Sequence, residues 1–282
     1  MICAWQGFLS VLPHWMRQDV DRQGKTTLQE LRLRLNKKPI LIGGDGVSAL
    51  DRLVVAEDLS FVINTASRYS PWSATTISKG YITAPGGHRI GLCGQAVIST
   101  GKMTGIREFT SLCIRIARDF PGLCDKVAGV NGSILIIGKP GSGKTTFLRD
   151  LIRRKAEKSI CNISVIDERE EIFPRWQDKL CFDPGVNTDI LSGCSKNDGI
   201  NAVLRSMGPD TIAVDEITAE DDCAALLKAG WCGIDLIATA HAGGLNDLHK
   251  RPVYKPILDA KLFDTIIVLR KDRSWSIERV CV

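Results

Sequence analysis

Ile134-Leu135-Ile136-Ile137-Gly138-Lys139-Pro140-Gly141-Ser142-Gly143-Lys144-Thr145-Thr146 is the stretch whose reading decides the fold. Four consecutive aliphatic residues make a short, buried strand, and Thr146 to Arg154 reads as a helix. Between them the residues complete a G-x-x-x-x-G-K-[ST] loop. The chemistry needs that context, because the strand aims the loop and the helix N-terminus offers its N–H groups to an anionic phosphate. Glycines let backbone amides turn inward around the phosphates. Lys144 reaches the β- and γ-phosphates, and the Thr145 hydroxyl joins the shell of a Mg²⁺ ion. Gly138, Lys139, Pro140, Gly141, Ser142, Gly143, Lys144, Thr145 and Thr146 are therefore the expected nucleotide-binding residues, with a nucleoside triphosphate and Mg²⁺ as ligands.

Toward the C-terminus, short β-branched runs alternate with helical segments. Ile163–Asp167, Thr211–Asp215, Leu236–Thr239 and Thr265–Leu269 read as strands. Ile200, Val203, Leu204 and Met207 form a helical stripe. Thr218 is placed to cap the next helix, with Glu220, Asp221 and Asp222 near its positive end. Continuous apolar strands alternating with helices predict an α/β core, a parallel sheet covered on both faces.

The N-terminal half has an α+β texture. Leu31, Leu33 and Leu35 alternate with Arg32 and Arg34, a half-buried strand with an arginine-bearing face, and Ile40-Leu41-Ile42 follows a turn. Leu59, Val62, Ile63 and Ala66 make one stripe of an amphipathic helix. Tyr81-Ile82-Thr83, the turn Pro85-Gly86-Gly87 and Arg89 to Leu92 predict a hairpin, and Leu112, Ile114 and Ile116 one more strand. Glycines and Pro121 between Asp119 and Gly132 mark a boundary, dividing the chain into a smaller N-terminal α+β domain (1–122) and a P-loop ATPase domain (123–282).

At 282 residues, 44% hydrophobic and 24% charged, the composition is that of a soluble globular protein. A net charge of +5 permits contact with nucleic acid or an anionic surface without requiring either. Ten cysteines, from Cys3 to Cys281, include no C-x-x-C pair, so no zinc site is expected and reduced thiols in a cytosol fit best. The apolar start (Trp5, Phe8, Leu9, Leu12) lacks a basic cluster and is interrupted by Pro13, which argues for a packed helix rather than a signal peptide.

Around the phosphate, Thr211 to Val214 end in Asp215-Glu216, and an acid beyond a buried strand next to the loop strand is where Mg²⁺ needs one. Asp215 is the expected metal residue beside Thr145, and Glu216 the base that polarises water. Asp167-Glu168-Arg169-Glu170-Glu171 follows another strand at the same edge, where open α/β sheets bind ligands, and Glu168 is a candidate helper. His241 ends a further strand, placed to sense phosphate or stabilise the transition state. Phosphoryl transfer gains from an arginine, often a neighbouring subunit's. Arg89, Arg107, Arg115, Arg169 and Arg205 are candidates that spacing does not separate.

Leu204-Arg205 to Pro209-Asp210, Asp167-Glu168-Arg169 and Thr239-Ala240-His241-Ala242 resemble the lead-in, Asp box and His box of the additional-strand phosphate-loop ATPases that include secretion and pilus-retraction hexamers. Gly86-Gly87-His88-Arg89-Ile90-Gly91-Leu92-Cys93-Gly94, Ile106-Arg107-Glu108 and Ile114-Arg115-Ile116-Ala117-Arg118 are similar to the stage III sporulation protein AA family, over about residues 20 to 280. The resemblance implies a RecA/AAA-like P-loop core and an ATP-hydrolysing motor ring, six-fold, in a mother-cell to forespore channel complex. It implies a cytoplasmic, peripheral location through membrane-protein partners, and it favours Glu168, His241, Arg89, Arg107 and Arg115 as functional. Lys144, Glu216 and these five make the expected catalytic set. Glu170 and Ala242 depart from the usual pattern of the acidic and histidine boxes. Two other classes fit the residues, a nucleic-acid-stimulated ATPase and a nucleotide-dependent assembly factor. No aromatic-interleaved basic groove supports the first, and no nucleic-acid partner is expected. Glu216 argues against the second.

Overall fold

The computed structural model describes residues 1–67, 77–127, 129–158, 161–177 and 179–279. Cys281 lies outside these residues; the described cysteines are free thiols. The chain forms two compact units, Met1–Asp119 with Pro174–Phe182, and Phe120–Phe173 with Asp183–Val282.

In the first unit, α1 (Trp5–Ser10) and α2 (His14–Thr27) are separated by Pro13, which lacks the N–H that helix continuation requires. Strands β1 (Leu28–Arg34), β2 (Ile40–Gly43) and β3 (Gly46–Ala49) precede α3 (Ala56–Ser67), and β4 (Tyr81–Ala84), β5 (His88–Ser99) and β6 (Lys102–Arg115) follow it. They form one antiparallel sheet in the order β3-β2-β1-β6-β5-β4. Leu31, Leu33, Ile90, Leu112 and Ile114 pack with Phe8, Leu12, Met16, Leu59 and Val62 into one core. Each such side chain taken from water is worth about 1.5–3 kcal/mol. Strand alternation sends Arg32, Arg34, Arg89 and Arg115 to the opposite face.

The expected strand at Leu112 is only the inner end of a long ribbon. β5 and β6 continue past the core and meet at Thr100-Gly101, whose positive φ values of 49° and 75° make a tight hairpin turn. His88 is fully buried at the base of β5. Its Nδ1 accepts from the Ala117 amide at 3.0 Å, and its Nε2 lies 3.2 Å from the Ala4 carbonyl. Burial pushes its pKa down to about 4.

The second unit begins with β7 (Ile134–Gly138), α4 (Lys144–Lys158) and β8 (Ile163–Asp167). The chain then leaves for a small hairpin, β9 (Arg175–Trp176) and β10 (Lys179–Leu180), within the segment that belongs to the first unit. No local spacing signals that excursion. It returns for β11 (Thr188–Ser192), α5 (Lys196–Ser206), β12 (Thr211–Ile217), α6 (Glu220–Trp231) and β13 (Asp235–Ala240). The short helices α7 (Leu245–His249) and α8 (Lys255–Asp259) lead to β14 (Thr265–Leu269) and β15 (Trp275–Arg279). The sheet order is β11-β8-β12-β13-β7-β14-β15, parallel except for the antiparallel edge strand β15. Every residue of β7, β8 and β14 is buried, as parallel strands covered on both faces require.

Three local expectations change. The strand bearing Asp215 and Glu216 is not next to the loop strand, because β13 lies between β12 and β7. Thr218 does not cap α6. The N-cap is Ala219, and Asp222 turns back to accept from the Thr218 and Ala219 amides at 2.8 and 3.2 Å. Met207 leaves its stripe, being the C-cap of α5 and 47% exposed. Among the described residues, no helix is long and apolar enough to cross a membrane.

Candidate functional site

The carboxyl ends of β7, β8, β12 and β13 meet at one edge of the second unit's sheet, and each delivers a candidate side chain. After β7 the loop turns through Gly141 and Gly143 at φ values of 77° and 94°, a region that favours glycine. Gly138 is needed for another reason. A Cβ there would stand 2.4 Å from Ser142 Oγ and 2.9 Å from the Leu269 carbonyl oxygen. Ser142 Oγ is itself buried with no hydrogen-bond partner among the described residues. Lys139, Pro140 and Gly141 form the exposed lip, and Thr146 lies half-buried in the first turn of α4.

Lys144 is buried, and its ammonium donates to the Gly138 and Lys139 carbonyls at 3.0 and 3.2 Å and to His241 Nδ1 at 3.0 Å. Burial lowers its pKa, while Asp215 and Glu216 oppose that shift. Because an ammonium only donates, Nδ1 of His241 must accept, so Nε2–H donates to Glu216 Oε1 at 2.7 Å. Glu216 Oε2 accepts from Arg169 at 2.9 Å. Lys144, His241, Glu216 and Arg169 thus form one continuous chain of contacts.

Thr145 Oγ1 donates to Asp215 Oδ2 at 2.6 Å. The reach is possible although β13 separates the two strands, because α4 packs across both β13 and β12. Asp215 Oδ1 takes the hydroxyl of Thr239, a fully buried residue of β13, and that hydroxyl in turn accepts from the Glu216 amide at 2.8 Å. Glu216 has a positive φ of 54°, and the β12–β13 register shifts between Val214 and Ile217. A bulge here re-aims the acid side chain out of strand alternation, at a backbone cost of about 1–3 kcal/mol.

The acidic loop after β8 is organised by Asp167, whose carboxylate accepts from the amides of Glu171, Ile172 and Phe173 at 2.9, 3.1 and 2.8 Å. Burial raises its pKa to about 6 against those donors. Glu168 meets Lys196 at 2.6 Å. Asp167, Glu168, Arg169, Glu171, Lys196, Asp215 and Glu216 line one pocket.

The second unit therefore brings together Lys144, Thr145, Asp215, Glu216, His241 and Glu168. Arg89, Arg107 and Arg115 belong to the first unit. The Arg89 guanidinium lies 3.9 Å above the Tyr81 ring, Arg107 donates to Gln95 at 2.9 Å, and Arg115 stands opposite Arg89 and Glu30 in the sheet. Of the arginines that spacing leaves open, Arg169 touches a candidate catalytic group and Arg205 sits in the last turn of α5. Lys196 escapes sequence reasoning, and Thr239 enters it only as the first residue of the histidine box, with no role attached. A threonine in an apolar strand and a lysine at a helix start carry no spacing signal.

The residues fit the ligands expected of them. An orphaned hydroxyl, a lysine aimed along the loop and glycines at positive φ suit a phosphate chain. Among the described residues no group of three or more His, Cys, Asp or Glu can hold a metal alone. Thr145 and Asp215 suit a Mg²⁺ ion that takes its remaining ligands from phosphate and water.

A family model described as Sporulation stage III, protein AA matches residues 9–278. Stage III sporulation protein AA of Bacillus subtilis (strain 168) is 34% identical over 274 residues, spanning 93% of this chain and 89% of that protein. Among solved structures, the ATPase DotB of Legionella pneumophila is similar with a TM-score of 0.57 and 17% identity, covering 95% of this chain and 80% of its own. The pilus retraction motor PilT with bound ADP has a TM-score of 0.60 and 14% identity, covering 89% and 76%. At such identities the likeness is one of fold, a RecA-like P-loop architecture.

Proposed function

The chain belongs to the Sporulation stage III, protein AA family, and from that premise we infer that it is an ATP-hydrolysing motor of a sporulation channel complex between mother cell and forespore. It works as a homo-oligomer, six-fold, cytoplasmic and held at the membrane by protein partners. One observation carries the hydrolytic part of the reading. Lys144, His241 and Glu216 are in direct contact beside a Thr145–Asp215 pair, so phosphate binding, a base and a metal position share one edge.

The triphosphate lies along the loop amides, with Lys144 exchanging its His241 contact for a γ-phosphate oxygen. Thr145 and Asp215 would hold a Mg²⁺ ion, which would supply positive charge against the phosphates. Glu216, aimed by its bulge, accepts the proton of the attacking water, and His241 reports the change at Lys144 to Glu216 through its two ring nitrogens. Glu168 orients the water, and an arginine of a neighbouring copy, Arg89, Arg107 or Arg115, offsets the charge developing in transit.

Glu216→Gln tests this. Turnover should fall about 10²–10⁴-fold with ATP binding retained, as loss of a general base predicts. Mass measurement should find the variant assembled with ATP and dispersed without it. Wild-type turnover in the Glu216→Gln variant excludes Glu216 as base, and equal assembly without nucleotide excludes nucleotide-controlled assembly.

A further inference from the structure

Lys196 is buried where a lysine is least favoured. It opens α5, the helix end whose free N–H groups already carry positive charge. Its side chain is only 5% exposed, and removing an ammonium from water is costly without partners. The helix start does not depend on it, because Ser195 caps α5 by accepting from the Asp198 amide. Its partners lie elsewhere. The ammonium is 2.6 Å from Glu168 Oε2 and 3.6 Å from Asp222 Oδ2.

Those two carboxylates belong to the two segments that carry the candidate acids. Glu168 follows β8. Asp222, in the first turn of α6, grips the Thr218 and Ala219 amides in the turn that follows β12, the strand that carries Glu216. The pocket lined by Lys196 also receives Asp167, Glu171, Asp215 and Glu216, with Arg169 already paired to Glu216. Glu168, 39% exposed in its side chain, shares that pocket with four other acids, whose like charge disfavours its facing inward without a cation beside it.

We propose that Lys196 is a positioning residue for ATP hydrolysis. It bridges Glu168 to Asp222 and holds the Glu168 carboxylate facing the pocket, on the same side as Glu216. The proposal rests on the hydrolytic reading above and deepens it. Glu168 cannot then turn away when water is to be oriented between it and Glu216, whose own carboxylate is held by His241 and Arg169.

A double-mutant cycle on the full chain tests it, with ATP turnover and binding of a non-hydrolysable ATP analogue measured for wild type, Lys196→Met, Glu168→Gln and the pair. Each single change should lower kcat by about tenfold or more while KM and analogue affinity stay within about threefold. The double variant should be no slower than the slower single, within about twofold, because both remove one shared function. Lys196→Arg should recover most of the turnover. Multiplicative losses in the double variant overturn the proposal, as does loss of analogue binding in both Lys196→Met and Lys196→Arg, which marks a folding role. Unchanged kcat in Lys196→Met overturns it while the ATPase reading stands. A wild-type chain that binds the analogue without turning over ATP removes that reading and the proposal together.

Discussion

Replacing Thr239 with valine removes one oxygen and leaves the side-chain shape almost unchanged. That hydroxyl is fully buried, donates to Asp215 Oδ1 and accepts from the Glu216 amide at 2.8 Å. In the valine variant the Glu216 N–H loses its acceptor within a bulge where strand pairing is already broken. A buried polar group left unsatisfied costs about 1–3 kcal/mol, and a lost hydrogen bond to a carboxylate is of the same order. The added methyl returns about 0.8 kcal/mol. Net destabilisation should be about 2–4 kcal/mol. Thr239→Ser keeps the hydroxyl and loses one buried methyl, about 1 kcal/mol. Stability should therefore run wild type, Ser, Val, whereas apolar burial alone places Val at or above wild type. Denaturant unfolding with matched slopes reads the order directly, and turnover should fall further in the valine variant because Glu216 loses the bond that holds its bulge. A valine variant as stable as wild type, or more stable than the serine variant, would refute the reasoning.

Lys144→Ala should abolish nucleotide-dependent stabilisation, which for wild type at about 100 times Kd amounts to about 2.7 kcal/mol; retained stabilisation counts against the phosphate-loop assignment. His88→Gln should flatten the acid side of the stability profile. The folded His88 refuses a proton that the unfolded chain accepts, so its contribution is whole above about pH 6.5 and is lost as pH falls to about 4. The loss is about 3 kcal/mol at its limit. Asp167 acts with the opposite sign, since its raised pKa makes its contribution largest below about pH 3.8 and lost as pH rises through about 6. Only the difference between wild type and His88→Gln isolates the histidine, and parallel profiles would show that His88 does not titrate as its burial requires.

The strand, loop and helix from Ile134 onward are legible because their cause is local. Four aliphatic residues buried on both faces, then glycines, then Lys-Thr, admit few alternatives. The alternating leucines of β1 and the hairpin around Pro85 are legible for the same reason. The order of the parallel strands is not, since β13 enters between β7 and β12 through pairings distant in sequence. The outer ribbon of β5 and β6 escapes because neither face is buried, so no hydrophobic alternation marks it. Spacing lists Thr145, Asp215, Glu216 and His241, but the contacts among them depend on the bulge at Glu216 and on the Thr239 hydroxyl, which no local pattern encodes.

Helix α4 shows the physical reason in one element. Its low apolar content reads as a helix with a broad solvated face, yet Arg149, Asp150 and Arg153 are 5%, 0% and 5% exposed. Arg149 and Asp150 are buried because they satisfy backbone that no regular element satisfies. Arg149 donates to the Ile172 carbonyl and, at 2.9 Å, to that of Glu171, holding by its carbonyls the loop that Asp167 holds by its amides. Asp150 accepts from the Gly122 and Cys124 amides at 3.1 and 2.8 Å, tying down the segment that leads toward β7, and Arg153 balances its charge at 2.9 Å. Such charges would destabilise the helix if they lacked those partners. The helix that begins at the phosphate loop is thus also the anchor of two irregular segments. Its sequence is written for them as much as for its own propensity, so a reading confined to periodicity assigns its buried charges to solvent.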